Sequence, residues 1–359
     1  RPGPRFQPRG PSPHPHTTPA VTGRTLLKKT ALSAALVLAL AGCASLAPQA
    51  PTVSILVDLD PASVERTVII ESITADRNGM LYVADRVSGN VMRVDPKAPK
   101  PVVVGRVAAR QVNGQNTPAN PGGMAFNAQG DLLIAAGAFA EVVRLRAADL
   151  DPARPGVAQT FITGVPGANG IEFDRQGRLY ISGGASGTVF RAGPDGGAAQ
   201  AVATVERFTR TLPDGRTQQS IVANGLAFDK AGVLHVADTA RGAVWRVAFD
   251  GDGKAQRPSL WVQNPALEGA DGLAFDARGH LWVAANEVNA LVRISPAGEL
   301  ATVVRNAAEG PLEFPAAMVF VGDAGYVANF DTPRRDNLDP GSSTTARAGI
   351  GASIARVAR

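Results

Sequence analysis

Six positions in this chain fall at the same place in six copies of one pattern, and four of them carry oxygen donors. They are Glu71, Gly122, Asn169, Asn224, Asp271 and Ala316, each lying four residues before a core position (Ala75, Phe126, Phe173, Phe228, Phe275, Phe320). Two carboxylates and two carboxamides brought to one point would form a hard oxygen site suited to Ca²⁺, with Mg²⁺, Mn²⁺ or Zn²⁺ as alternatives. Turn chemistry offers another explanation, because Asn and Asp tolerate the left-handed region and Gly tolerates positive φ. It covers Asn169-Gly170, Asn224-Gly225 and Asp271-Gly272, but not Glu71.

The elements that must position these groups are legible from the repeats. Each copy, beginning at Glu71, Gly122, Asn169, Asn224, Asp271 and Ala316, is an alternating apolar stretch, a polar turn usually containing Gly, and a second alternating stretch. That pattern predicts a β-hairpin. A third run follows in every copy and contains Arg93, Arg144, Arg191, Arg246, Arg293 or Arg356 between aliphatic residues, so the unit spans about fifty residues. Five copies have a fourth apolar run; the sixth reaches the chain end without one, and Val53 to Leu59 is a spare alternating strand. The expectation is an all-β fold, a six-bladed β-propeller of four-stranded blades over residues 53–359, closed by that N-terminal strand. A parallel α/β domain is disfavoured because no amphipathic helical stretches separate the strands. In a propeller the inner strands begin around a central channel, so equivalent positions of distant repeats converge there.

Further candidates surround this column. Asp85, Asp238, Asn286 and Asn329 lie near the ends of second strands and are expected on a pocket rim, although Asp85 to Gly89 and Asp238 to Gly242 also read as turn openers with their glycines. Glu172, which interrupts a column of small or apolar residues, is a further pocket candidate; it could stand behind the ligands or pair with an Arg, and of these two pairing is the favoured assignment. His235 and His280 are assigned structural roles, so neither a histidine relay nor a Ser/His/Asp triad is supported. Asp331 to Gly351 is an insertion in the last blade that could cap the pocket or decorate its rim.

Composition narrows the partners. The chain has 359 residues, 45% hydrophobic and 19% charged, with one cysteine, which excludes a disulfide scaffold. Of its 36 basic residues, six lie in residues 1 to 42, which contain no acid; the remainder is nearly neutral, and no nucleic-acid partner is expected. Residues 1–20 are proline-rich and read as a disordered or untranslated extension. Residues 21–42 read as a secretory leader: Arg24, Lys28 and Lys29 precede an apolar run that ends at Leu40-Ala41-Gly42-Cys43. This ending resembles a bacterial lipobox, which implies acylation of Cys43, a tether over residues 43–52, and membrane attachment in the cell envelope at the outer membrane facing the periplasm. A monomer is expected.

The ligand column together with the Asn224-Gly225-Leu226 and Asp271-Gly272-Leu273 settings resembles the gluconolactonase and regucalcin-like (SMP-30-type) family of propeller lactonases, over about residues 53 to 357. The resemblance implies one divalent ion held by Glu71, Asn169, Asn224 and Asp271, hydrolysis of a lactone or related ester, and Asp271 as the group that takes a proton from water and returns it to the leaving oxygen. The chain departs from sugar-lactone members in having Gly167 where they carry an Arg. A non-catalytic membrane-anchored platform for ligands or proteins, and a strictosidine synthase-like or phosphotriesterase-type enzyme, are the alternatives on the same fold.

Overall fold

Alternation puts every second residue of a strand on one face, and two such faces pressed together make a core. In the computed structural model, which describes residues 51–61, 64–212, 214–306 and 310–358, that alternation is realised in six four-stranded antiparallel blades. Blade 1 contains Ile70–Ala75, Leu81–Asp85, Asn90–Asp95 and Ala98–Arg106; blade 2 contains Pro121–Phe126, Leu132–Ala136, Glu141–Leu145 and Gln159–Thr163. Blade 3 contains Ile171–Phe173, Leu179–Ser182, Thr188–Gly193 and Gly196–Thr204, and blade 4 Leu226–Phe228, Leu234–Asp238, Ala243–Val247 and Ser259–Gln263. Blade 5 contains Ala270–Phe275, Leu281–Ala285, Ala290–Ile294 and Leu300–Arg305. Blade 6 contains Pro315–Val321, Ala324–Asn329 and Ser353–Ala358, and its outer strand is Thr52–Asp58 from the other end of the domain.

That last pairing closes the ring. Thr52 stands opposite Ala358 and Asp58 opposite Ser353, in antiparallel register. The inner strand of each blade lies beside those of its two neighbours, blade 6 meeting blade 1. Six apolar clusters fill the gaps between successive blades. Most of these contacts are aliphatic, and one aromatic contact repeats. Tyr82 meets Phe126 edge-on at 4.9 Å, Tyr180 meets Phe228 at 5.0 Å, His235 meets Phe275 at 5.1 Å and Trp282 meets Phe320 at 5.6 Å. His235 therefore serves as an aromatic ring in the core. Burial pushes its pKa down to about 4, and its Nε2 accepts a 2.9 Å hydrogen bond from Arg246 Nε. His280 is held against Asp276 at 3.3 Å. Two outer-edge contacts go beyond the sequence expectation: Gly156–Val157 pairs in parallel with the edge of blade 1, and the outer strands of blades 2 and 3 pair in parallel through Ile162 and Gly197. Both cover exposed sheet edges.

Four of the inner strands, those of blades 1, 2, 5 and 6, are bulged at the column position. Register breaks between Ile70 and Ile73, Pro121 and Met124, Ala270 and Leu273, and Pro315 and Ala317. A bulge turns a side chain out of the strand's ordinary alternation, and here it frees Glu71 and Asp271. Turn chemistry does not account for the glycines that follow the donors, because Gly170, Gly225 and Gly272 are absent from the positive-φ residues. They are required by close approach: a Cβ at Gly225 would lie 2.3 Å from the Asp271 carbonyl oxygen, and one at Gly170 would lie 2.4 Å from that of Asn224. The donor of one blade thus rests on the glycine of the blade before it.

The insertion is fastened to blade 5. Arg334 pairs with Glu287 at 2.6 Å, Arg335 pairs with Glu268 and Glu287, and Asn337 exchanges hydrogen bonds with Asn289 at 3.0 and 3.2 Å. Its far end closes on Glu313, whose carboxylate accepts from the Gly351 amide at 2.8 Å. At its start Asp331 is buried beside Glu313 and Asp60, and its Oδ2 has no hydrogen-bond partner. Desolvation first, then the Glu313 charge, pushes its pKa up to about 7.

Two outcomes follow from this packing. Gly225→Ala should cost about 1–3 kcal/mol of stability through overpacking, seen as a lower denaturation midpoint; an unchanged midpoint would contradict the close-approach argument. Asp331 holds its proton to about pH 7 when folded, whereas its unfolded carboxyl ionises near 3.9. The folded state therefore binds more protons between those values, and its stability falls as pH rises through that window. Asp331→Asn should melt higher than the parent at pH 8 and no higher at pH 3.5; parallel melting curves across that range would refute the assignment.

Candidate functional site

The four donors reach the axis from four different blades. Glu71 comes from the bulge of blade 1 and Asp271 from that of blade 5. Asn169 and Asn224 come from the residues just before the inner strands of blades 3 and 4. Backbone bonds hold the two asparagines: Asn169 N donates to Ser182 O at 2.9 Å and Asn224 N to Ala237 O at 3.0 Å. All four line a cavity of about 490 Å³ within the channel, and all four also line a second cavity of about 490 Å³ that opens at the mouth. The column thus forms the partition between channel and mouth. Gly122 and Ala316, its members without donors, leave the other sectors without bulky side chains; a Cβ at Gly122 would stand 3.5 Å from Asn169 Oδ1.

Neighbouring side chains orient the donors. Asn224 Nδ2 donates to Thr239 Oγ1 at 3.0 Å, and Thr239 Oγ1 donates to Ala270 O at 2.7 Å, so the oxygen Oδ1 is the Asn224 atom left for a cation. Asn286 Nδ2 donates to Asp271 Oδ2 at 3.0 Å, and Asn224 also hydrogen-bonds Asp271. Asp271 is 7% exposed, and desolvation pushes its pKa up to about 8 despite those hydrogen bonds and the nearby Arg86 charge. Arg86 pairs with Glu71 and lies over the Phe330 ring.

A divalent cation fits this donor set. The oxygens are hard and come from carboxylates and carboxamides, and a cation bound there would favour the ionised form of Asp271 that burial disfavours. Among the described residues no group of three or more His, Cys, Asp or Glu forms a metal cluster. The candidate site differs from such a cluster in taking half its donors from asparagine.

The rim is built from residues one position later than expected in three blades. Among the residues that line the mouth are Arg86, Gly137, Gly184, Thr239, Asn286 and Phe330, each four residues past the second-strand core position of its blade. Of the four strand-end candidates, Asn286 lies in this lining. Asp85, Asp238 and Asn329 are not among the residues lining the mouth, and their polar atoms bond within the fold. Asp85 accepts from the amides of Ile69, Val87 and Ser88, Asp238 from Arg241 and Trp245, and Asn329 bonds Pro311, Glu313 and Ser353. A shift of one residue along a strand reverses the face a side chain occupies. Arg86 and Thr239 were missed for that reason, although reading the column from Tyr82, Tyr180, His235 and Trp282 would have found them.

In sequence Glu172 is a pocket candidate with Arg pairing as its favoured local role. It lines the channel cavity, with no Arg or Lys at ion-pair distance among the described residues, and desolvation pushes its pKa up to about 8. The insertion contributes Thr332 and Arg334 to the mouth, which places part of it at the rim. Cys43, with the leader and most of the tether, lies outside the described residues.

Comparison with known proteins sets this geometry in context. No curated protein gives a significant match to the chain by sequence. Among solved structures the chain is similar to a luciferin-regenerating enzyme, with 16% identity and a TM-score of 0.59, covering 86% of this chain and 95% of that one. It is similar to a gluconolactonase from Xanthomonas campestris, with 16% identity and a TM-score of 0.58, covering 86% and 89%. It is also similar to a calcium-binding protein, regucalcin, from Agrobacterium tumefaciens, with 18% identity and a TM-score of 0.55, covering 81% and 90%. At such identities these three likenesses speak for the fold. Residues 168–326 match the family described as SMP-30/Gluconolactonase/LRE-like region, a stretch that contains three of the four donors, Asn169, Asn224 and Asp271. Residues 168–326 are therefore similar to the SMP-30/gluconolactonase/LRE-like region, in keeping with the resemblance drawn from the ligand column, and they lie within an all-β propeller.

Proposed function

We propose that the protein is a metal-dependent hydrolase of the gluconolactonase-like type that opens a lactone or related ester. The observation that carries this reading is the convergence of Glu71, Asn169, Asn224 and Asp271 on the partition between channel and mouth. Those four residues would hold a divalent cation, Ca²⁺ being the best match for an all-oxygen set that includes neutral carbonyls. Bound there, the ion would supply polarisation of the ester carbonyl and acidification of a coordinated water.

The chain's own groups supply the rest. The mouth gives a substrate of small-molecule size access to the donors, and the small residues Gly122, Gly137 and Gly184 leave its blade 2 and blade 3 side open. Asn286 fixes the Asp271 carboxylate through its Oδ2. Ionised Asp271 would accept the proton of the attacking water and return it to the ring oxygen as that bond breaks. Thr239 and Arg86 add a hydroxyl and a guanidinium facing the same cavity, both able to bind a polar substrate. Support for a hydrolase over a passive platform comes from the family match and from the pairing of a desolvated carboxylate with an open mouth.

Asp271→Ala should abolish lactone hydrolysis with an unchanged circular dichroism spectrum, and a chelator should do the same to the parent protein. Turnover that survives both would sink the hydrolase, and loss of melting temperature alone on chelation would point to a structural ion. Because Asp271 keeps its proton to about pH 8 without an ion, loading must displace it. Apparent Ca²⁺ affinity should therefore rise from pH 6 to pH 8, by up to about tenfold per unit for one proton displaced; calorimetric titration at the two pH values would show this, and a flat response would refute it.

We further propose that Cys43 is acylated and that the protein is held on the envelope membrane, which the charged, apolar and small-residue order of residues 24–43 supports. Cys43→Ser should move the protein from the membrane to the soluble fraction. Unaltered fractionation would end this assignment.

A further inference from the structure

Arg86 occupies the place where a cation has to act. Its guanidinium pairs with Glu71, one of the two carboxylates of the donor set, and its charge acts on Asp271, the other. Its central carbon also lies 5.6 Å from the centroid of the Phe330 ring at the edge of the mouth. The backbone beneath it is fixed, Arg86 N donating to Ile69 O at 2.8 Å, so a change of partner is a movement of the side chain alone. The other arginine lining the mouth, Arg334, is already paired with Glu287 at 2.6 Å. Arg86 is therefore the positive charge that the fold itself offers to the donor carboxylates, and it reaches Glu71 from the neighbouring second strand of the same blade.

A divalent ion and a guanidinium cannot share Glu71 without like-charge repulsion in a site that excludes much of its water. Resting on the ion site proposed above, we infer that Arg86 is a built-in competitor of the divalent ion. In the ion-free protein it neutralises Glu71; when the ion loads, it gives up that carboxylate and remains at the mouth over Phe330, an aromatic face that receives a displaced guanidinium. Two consequences follow. The protein binds its ion more weakly than the four oxygens alone would, and loading frees a donor-rich side chain at the mouth only when the site is filled.

The test is calorimetric titration of Ca²⁺ into the parent protein, Arg86→Gln and Arg86→Lys, with circular dichroism and melting curves on each. Arg86→Gln should bind roughly tenfold tighter or better, because a like charge beside the ion is gone, and Ca²⁺ should raise its melting temperature more than the parent's. Arg86→Lys keeps the charge and should stay near the parent. Equal or weaker binding by a folded Arg86→Gln, with the parent still binding, would overturn the competition while leaving the ion site standing. Absence of binding in both would overturn the ion site itself and this inference with it. Should Arg86→Gln fail to fold, Arg86→Met tested by the same titration decides between the same outcomes.

Discussion

The ring depends on one antiparallel pairing between strands from opposite ends of the domain. Thr52–Asp58 supplies the outer strand of a blade whose other members lie beyond residue 314, so six sheets that are each local in sequence become mutually dependent. Without that strand the Ser353–Ala358 edge would present unpaired amides and carbonyls. With it, the blade 6 to blade 1 cluster of Ile70, Leu81, Val83, Ile354 and Tyr326 is enclosed like the other five. The chain contains no α-helix among its described residues, so stability rests on these inter-blade clusters and on the sheet ladders.

Closure also concentrates polar groups where water is scarce. Six inner strands begin around one axis, and whichever residues occupy their first positions must share that space. Four of the six bring oxygens, and the energetic consequence is visible in Asp271, whose carboxyl keeps its proton to about pH 8. Arg86 offsets part of the negative charge, and Asn224 and Asn286 hydrogen-bond the acid without relieving it fully. An arrangement that disfavours the Asp271 carboxylate beside an open mouth is unfavourable for folding alone, which accords with the cation site proposed above. The glycines after Asn169, Asn224 and Asp271 belong to the same constraint, since a methyl group there would collide with the donor position of the next blade.

Most of the architecture was legible because the repeat is regular. The alternation around each polar turn, the Arg of each third strand and the spare strand at Val53 to Leu59 together required six blades and their closure. The oxygen column was legible too, because equivalent positions in a closed ring must converge. What the repeat did not resolve was a shift of one residue: Asp85, Asp238 and Asn329 are polar and end their strands, and the next residues, Arg86, Thr239 and Phe330, line the mouth. Asp and Asn at a strand end are chosen for the turn they open, and their side chains turn back onto backbone amides and neighbouring side chains. Glu172 lines the channel cavity, and whether it has an Arg partner depends on neighbours that sequence does not place.

The sequence by itself determined the all-β class, the fifty-residue repeat, the closing strand and the set of oxygen donors, since alternation and periodicity are local properties of the chain. The tertiary structure decided which polar residues reach the cavity, that bulges present Glu71 and Asp271 while Asn169 and Asn224 precede their strands, and that Arg86 stands against Glu71. Those outcomes depend on distances between segments tens to hundreds of residues apart, and such distances are fixed only when the inter-blade cores pack and the ring closes.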